Sequence, residues 1–311
     1  MRIGINGSSL IAAGAPLAQL IEHAVEAEAA GFSSYWLAQL AVPDALTAIA
    51  TMGSRTATIE LGTAVIPTWP RHPLMLAAQA LTVQEAIGNR LALGIGLAHK
   101  SSVESTLKIP FATPAKHMDE YLSVLLPAME KRSVSFTGDI WSAEVESVGG
   151  ATAAATAPTV LLAAMGPRML RLAGARTAGS ILWLSGPKAI ARQIKPALDQ
   201  AAADAGRPAP RIIASVPICV TKRPDSVRSV IAAALAGYND LPSYRGVMDI
   251  EGADGPADVS LVGSEDEVRA RLAAFAEAGA TDFAALELGL DPDESAATRA
   301  LLQDLATSTR N

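Results

Sequence analysis

The chain has 311 residues, of which 50% are hydrophobic, and its formal net charge at pH 7 is −6. One α/β barrel needs roughly 250 residues, so the length alone fits one domain with insertions as well as it fits two domains. The order of the predicted elements along the chain leads us to expect a single domain over residues 1–311. The acidic balance and the lack of basic runs argue against nucleic acid or an anionic membrane as the partner. Because no apolar run of about 18 residues and no secretory leader occur, we expect a cytoplasmic protein that acts on a small molecule.

A short apolar strand opens the chain, and strand and helix patterns then alternate. We predict strands at 2–6, 34–39, from 58 onward and 90–96, with helices at 17–29, 45–55 and 74–86 between them. Short connections between alternating elements are typical of right-handed βαβ units, and therefore of a parallel sheet.

The second half repeats this alternation around three segments that do not fit it. Strands are predicted at 159–164, 180–184, 211–221 and 281–288, and helices at 114–131, 167–173, 187–205, 224–238, 264–279 and 291–307. Segments 98–113 and 239–258 are predicted to be irregular insertions, and 133–157 a small hairpin followed by a loose linker. Eight strands, each with a helix behind it, favour a closed (β/α)8 TIM barrel over the alternative, an open doubly wound sheet.

Four histidines and one cysteine are the obvious candidates for chemistry. His23 and His117 lie inside predicted helices among charged neighbours, so we expect both on the solvated surface. His72, between two prolines, is a candidate either to brace its loop or to contact a ligand. His99 follows a barrel strand on a Gly-rich turn and is the catalytic candidate. Cys219 lies in an apolar run and is predicted to be a core thiol. No pair of histidines has the spacing of metal ligands, so no metal site is expected.

The segment from Ala164 through Met165 and Gly166 to Arg168 predicts a phosphate site. A strand that runs into Gly-Pro and then a helix exposes backbone N–H groups at the positive end of the helix dipole. Arg168, together with Ser185 and Lys188 after the next strand, would add polar and charged groups. The alternative is that Gly166-Pro167 only starts a helix. Used together, the two loops would suit a cofactor that carries a phosphate.

Eight short motifs, in order along nearly the whole chain, carry a family resemblance. They are 30–36 (AGFSSYW), 59–67 (IELGTAVIP), 71–73 (RHP), 90–96 (RLALGIG), 117–122 (HMDEYL), 136–138 (FTG), 164–168 (AMGPR) and 262–268 (VGSEDEV). Their ordered set resembles the luciferase-like monooxygenase superfamily, and within it the coenzyme F420-dependent (deazaflavin) oxidoreductases. Residues 67–73 are most similar to the deazaflavin subgroup.

The resemblance implies a TIM barrel with insertions, often a homodimer, and a set of site residues. A non-prolyl cis peptide in the third strand, here Ala64–Val65, would support the cofactor ring. The cofactor phosphate would lie on the Met165 and Gly166 amides, with Ser185 and Lys188 near an acidic tail. The full set of implied cofactor-binding residues is Gln39, Thr63, Ala64, Val65, Gly96, His99, Ser102, Ala164, Met165, Gly166, Ser185 and Lys188. Candidates to line the substrate are Trp36, Trp69 and Trp183.

One departure from the family pattern limits the activity that the resemblance implies. Where several members end strand two in an acidic residue and a histidine used in proton transfer, this chain has Gln39 and Leu40. Sugar-phosphate dehydrogenation is therefore in doubt, whereas hydride transfer from reduced F420 to an unsaturated or electron-poor organic substrate remains the expected activity. The alternatives are an FMN-dependent monooxygenase of the same fold and a non-catalytic flavin-binding barrel.

Overall fold

Eight parallel strand positions close into a barrel in the computed structural model, which describes residues 1–40, 42–148 and 155–308. The barrel strands are β1 (Arg2–Asn6), β2 (Ser34–Leu37), β3 (Glu60–Thr63) with its continuation β4 (Ile66–Pro67), β5 (Leu91–Gly96), β8 (Thr159–Leu162), β9 (Gly179–Trp183), β10 (Arg211–Ser215) with β11 (Pro217–Val220), and β13 (Asp282–Glu287). Parallel pairing of β1 with β13, from Arg2 opposite Asp282 onward, closes the ring. The predicted (β/α)8 barrel is confirmed, and the open sheet is excluded.

Three further strands of the described residues lie outside the barrel. An antiparallel hairpin is formed by β6 (Val134–Thr137) and β7 (Ser142–Val145), as the sequence predicts for this insertion. The linker predicted after it falls largely on residues 149–154, outside the described residues. A short strand that the sequence analysis missed, β12 (Leu261–Gly263), pairs in parallel with β11.

Helices cover the outside of the barrel and build its insertions. They are α1 (Ser8–Ala12), α2 (Leu17–Ala29), α3 (Ala45–Gly53), α4 (Pro73–Ala86), α5 (Lys100–Ser105), α6 (Pro114–Glu130), α7 (Pro167–Arg176), α8 (Pro187–Ala189), α9 (Lys195–Asp204), α10 (Pro224–Ala234), α11 (Pro242–Glu251), α12 (Pro256–Val259), α13 (Glu265–Glu277) and α14 (Pro292–Ser308). A π-helical turn (Ile190–Ile194) joins α8 to α9, and a 3-10 turn (Ala236–Tyr238) follows α10. The helix predicted at 264–279 starts with a capping box, in which the Ser264 amide donates to Glu267 at 2.8 Å.

Two insertions predicted to be irregular contain helices, so those predictions were wrong for the helical residues. Segment 98–113 contains α5, and segment 239–258 contains α11 and α12. In α11 the buried side chains Tyr244, Val247 and Met248 follow helical spacing, Pro242 occupies the first turn, and Gly252 ends the helix with a φ of 73°. Because α11 packs its apolar face on the rest of the protein, burial outweighs the high local content of Gly, Pro and Asp.

Ion pairs close the amino-terminal end of the barrel. Arg211 donates to both Glu60 oxygens at 2.9 Å and to Asp282 at 2.9 Å, while Arg2 also bridges the two acids. Above this layer the interior is filled by six buried side chains: Trp36, Ala92, Leu161, Ile181, Ile213 and Ala284. The barrel is therefore a packed core, and its open positions lie at the carboxyl ends of the strands.

Two statements about the chain as a whole follow from the described residues. None of their helices combines the length and apolar character needed to cross a bilayer. Cys219 is fully buried, and burial raises the pKa of its thiol to about 11, which confirms it as a core thiol.

Candidate active site

The floor of the barrel mouth is the break between β3 and β4. The Ala64–Val65 peptide is cis, which confirms the expectation drawn from the family resemblance. The Ala64 amide donates to the Leu37 carbonyl at 2.7 Å, and both Ala64 and Val65 are half-buried. The neighbouring strand β5 can lie this close to the break only because it carries glycines. A Cβ on Gly94 would lie 2.0 Å from the Thr63 carbonyl oxygen, and one on Gly96 would lie 2.7 Å from Val65 Cγ2. These glycines are therefore needed for close packing against the break.

The predicted phosphate site lies where β8 runs into α7. Gly166 is the N-cap of α7 and has no side-chain cap, and the first turn carries no acidic residue. A Cβ on Gly166 would meet nothing within 4 Å, so the space beside this helix start is open. Ser185, after β9, is fully buried, yet its hydroxyl has no hydrogen-bond partner among the described residues. Such an orphaned hydroxyl fits a site in which a ligand supplies the acceptor.

Lys188, which the family resemblance places near the acidic tail of the cofactor, lies next to Glu251 of the protein itself. Its Nζ donates to the backbone oxygen of Glu251 at 2.7 Å, and the Glu251 side chain accepts from the Ala189 amide at 2.6 Å. Glu251 also packs against Gly186, where an added Cβ would lie 2.5 Å from its Cδ. The start of α8 is therefore already capped by an anionic side chain of the protein.

Four aromatic side chains form one wall of the mouth. Edge-on contacts join His99 to Tyr238 and Tyr244, with ring centroids 5.6 and 5.7 Å apart, and Trp183 lies 6.4 Å from Tyr238. The structure thus brings His99 and Trp183 together, and it adds two tyrosines that the sequence analysis did not single out. Burial lowers the pKa of His99 and raises the pKa of both tyrosines, so all three are uncharged at neutral pH.

His117 and His23 are not on the solvated surface, and those two predictions were wrong. His117 is fully buried: its Nε2 lies 2.9 Å from Thr68 Oγ1, and the Trp141 indole donates to its Nδ1 at 3.2 Å. Burial lowers the pKa of His117 to about 4. His23 is largely buried, with its Nδ1 2.9 Å from the Tyr35 hydroxyl. Tertiary contacts that helical spacing alone does not reveal decide both positions.

Several predicted site residues use their polar groups within the protein. The Trp36 indole donates to Ser34 Oγ at 2.8 Å inside the barrel, and the buried Thr63 hydroxyl donates to the Gly94 carbonyl at 2.7 Å. Gln39 accepts from the Ala45 amide at 2.9 Å. Trp69 stacks on His117 with ring centroids 3.7 Å apart, and its buried indole nitrogen has no hydrogen-bond partner among the described residues. Trp36 and Trp69 are both buried, so their side chains pack inside the protein.

The remaining predicted site residues lie around the barrel mouth and differ in how exposed they are. Ser102 is exposed on α5, whereas Ala164 is buried and Met165 is half-buried next to the aromatic wall. The carboxyl ends of β5, β8 and β9 therefore bring Gly96, His99, Met165, Gly166 and Ser185 to the mouth. Their roles toward a ligand stay predictions.

The closed barrel with polar groups at its carboxyl ends defines the class: a TIM-barrel protein with its candidate active site at the mouth. Residues 2–282 match the family model described as luciferase-like monooxygenase. The chain therefore belongs to the luciferase-like monooxygenase family.

Relatives and solved structures show what the chain is similar to. It is 24% identical over 301 residues to 5,10-methylenetetrahydromethanopterin reductase of Methanolobus tindarius, covering 87% of this chain and 90% of that protein. The coenzyme F420-dependent tetrahydromethanopterin reductase of Methanopyrus kandleri superposes with a TM-score of 0.83 at 19% identity, covering 100% of this chain and 99% of that one. A type II Baeyer–Villiger monooxygenase of Pseudomonas putida in complex with FMN gives 0.75 at 19% identity, covering 97% and 96%. Likeness at this identity establishes the shared fold.

Proposed function

We propose that the protein is a coenzyme F420-dependent reductase that transfers a hydride between reduced deazaflavin and an unsaturated or electron-poor organic substrate. The observation that carries the proposal is the pair of unsatisfied positions at the ends of β8 and β9. Gly166 starts an uncapped helix next to open space, and the Ser185 hydroxyl is buried without a partner in the described part of the chain. A phosphate would satisfy both, because it accepts hydrogen bonds from backbone amides and from hydroxyls.

Different residues of the barrel mouth would bind different parts of the cofactor. The Met165 and Gly166 amides and the Ser185 hydroxyl would hold the phosphate, and the half-exposed Ala64–Val65 segment would support the ring. Bound F420 would supply the hydride chemistry, as cofactors of this kind do. The likeness to an F420-dependent reductase over the full chain supports this choice.

His99 is the residue that we propose to handle a proton. Because burial lowers its pKa, the ring is neutral at pH 7 and offers one N–H donor and one acceptor nitrogen. A neutral imidazole can polarise a substrate by a hydrogen bond and relay a proton without placing a charge among Trp183, Tyr238 and Tyr244. Gln39 and Leu40, in contrast, carry no titratable group, which argues against the sugar-phosphate chemistry of some relatives.

FMN-dependent monooxygenation is the second candidate, and one observation favours it. Glu251 caps the start of α8 beside Lys188, so an acidic tail placed there would approach a carboxylate of the protein. FMN has no such tail. The likeness to an FMN-bound monooxygenase supports the same alternative.

A turnover screen tests the proposal directly. Purified protein is mixed with reduced F420 and a panel of enones, imines and nitroaromatics, and F420 oxidation is followed by absorbance. Substrate-dependent oxidation without oxygen is the expected result. Activity only with reduced FMN and oxygen would replace the proposal by the second candidate, and no activity with either would favour a non-catalytic barrel.

A further inference from the structure

A chain of hydrogen bonds runs from the β6–β7 hairpin through His117 to the barrel. The Trp141 indole, at the end of the hairpin turn, donates to His117 Nδ1 at 3.2 Å. His117 Nε2 lies 2.9 Å from Thr68 Oγ1, and that hydroxyl lies 3.2 Å from the Gly96 carbonyl oxygen. Since His117 and Thr68 are both fully buried, no solvent competes for these bonds.

The direction of each bond in the chain is settled by the chemistry of its donors. An indole nitrogen only donates, so His117 Nδ1 must be the acceptor and carry no proton. The proton of the neutral ring is then on Nε2, which donates to Thr68 Oγ1. The Thr68 hydroxyl in turn donates to Gly96. The His117 ring and the Thr68 hydroxyl each accept one hydrogen bond and donate one, so the hydrogen-bond chain fits a single tautomer of His117.

The hairpin turn is itself held against α6, on which His117 lies. Glu120, one turn after His117, accepts from the Ile140 amide at 2.7 Å and from the Trp141 amide at 3.0 Å. These bonds lower the pKa of the Glu120 carboxyl, and burial opposes them. Trp141 is thus fixed at its backbone by Glu120 and at its ring by His117, which makes the hairpin and α6 one unit.

The other end of this chain of hydrogen bonds reaches the mouth of the barrel. The Thr68 amide also donates to the Gly96 carbonyl, at 2.9 Å, so two bonds from one residue hold the end of β5. Gly96 in turn packs on Val65, where an added Cβ would lie 2.7 Å from Cγ2. A displacement of Thr68 would therefore be felt at the Ala64–Val65 floor of the proposed cofactor site.

We propose that His117 is a positioning residue that connects the β6–β7 hairpin to the end of β5 and so holds the floor of the barrel mouth in place. The ligand-binding consequence rests on the proposed function, whereas the connection between hairpin and barrel does not. The hairpin is then a brace for the site, although none of its residues contacts Val65 or Gly96 through a hydrogen bond among the described residues.

Trp141→Phe tests the connection without any ligand, because it keeps an aromatic ring at this position while removing the indole donor and one ring of the indole. Loss of one hydrogen bond predicts amide exchange about fivefold faster for Ile66, Thr68 and Trp69, with unchanged exchange of β13, which lies three strand positions away around the barrel. Ser135→Ala is the control, since it removes only a surface contact with Glu144 in the same hairpin. Unchanged exchange at 66–69, or equal acceleration in β13, would overturn the proposal.

A second measurement tests the consequence for binding. Wild-type protein, Trp141→Phe and Ser135→Ala are titrated with F420 and with FMN well below their melting temperatures. The dissociation constant of the cofactor that wild type binds should rise about fivefold in Trp141→Phe only. Faster exchange with unchanged affinity would refute the positioning role. If wild type binds neither cofactor, the proposed function fails, and the exchange experiment still decides the connection.

Discussion

Gly166→Asp is the substitution that most sharply separates cofactor binding from folding. Gly166 has φ −87° and ψ 156°, which any residue can adopt, and a Cβ there would meet nothing within 4 Å. Aspartate is also a better N-cap than glycine by a few tenths of a kcal/mol. We therefore expect the variant to fold with a melting temperature equal to or slightly above that of wild type.

The same change should strongly weaken binding of a phosphate. Two unit charges about 4 Å apart repel by about 1 kcal/mol in water and about 4 kcal/mol at a partly buried site. The dissociation constant should then rise between about fivefold and about a thousandfold. The side chain would also accept from the first amides of α7, which holds its carboxylate next to the Met165 and Gly166 amides proposed to bind the phosphate.

Gly166→Asn is the matched control, since asparagine caps a helix as well as aspartate but carries no charge. Affinity is measured by quenching of tryptophan fluorescence, and folding by thermal denaturation followed by circular dichroism. The expected order of affinity is wild type, then Asn, then Asp. Wild-type affinity in a well-folded Asp variant would refute the placement of the phosphate at the start of α7.

Four further predictions follow from individual contacts. Because the pKa of His117 is about 4 in the fold and 6.5 in the unfolded chain, the unfolded state takes up the proton first as pH falls. Urea titrations should show stability fully present above pH 6.5 and about 2 kcal/mol lost between pH 7 and 5, a loss absent from His117→Gln; a pH-independent difference between the two proteins would contradict this. Glu251→Gln keeps the acceptor for α8 and removes the charge, so F420 affinity should rise about threefold while FMN affinity stays the same; an equal effect on both cofactors would show that no tail lies there. Gly94→Ala places a methyl 2.0 Å from the Thr63 carbonyl oxygen and should cost about 3 kcal/mol in chemical denaturation, with Gly246→Ala, which has open space, as the control. His99→Asn should lower kcat about a hundredfold with little change in cofactor affinity, and an unchanged kcat would remove His99 as the proton-handling group.

Local pattern was sufficient for most of the barrel, because strand and helix periods repeat wherever one face is buried. The Gly-Pro start of α7 is a signal within a few residues, and the start of that helix was predicted from it. The cis bond at Ala64–Val65 had a different source, namely the family resemblance. Neither the composition nor the periodicity of residues 59–67 predicts this cis bond.

The parts that sequence reasoning missed depend on contacts between distant segments. From sequence alone His117 resembles a surface residue of α6, but Trp141 of the hairpin and Thr68, which follows β4, both form hydrogen bonds with its ring. Tyr244 lies in a segment rich in helix-breaking residues and becomes part of the mouth only because α11 folds over β9. Glu251 similarly reaches the start of α8 across 62 residues of chain. For Tyr244 and Glu251, the helical spacing of the apolar residues in segment 242–251 is the one signal in the sequence that could have predicted α11.

The most direct test of the account is a pair of titrations of the purified wild-type protein, one with F420 and one with FMN, followed by tryptophan fluorescence. We predict saturable binding of F420 with a dissociation constant at least tenfold lower than that of FMN. Saturable binding of FMN with no binding of F420 would contradict the cofactor assignment, and binding of neither would contradict a cofactor site at the barrel mouth.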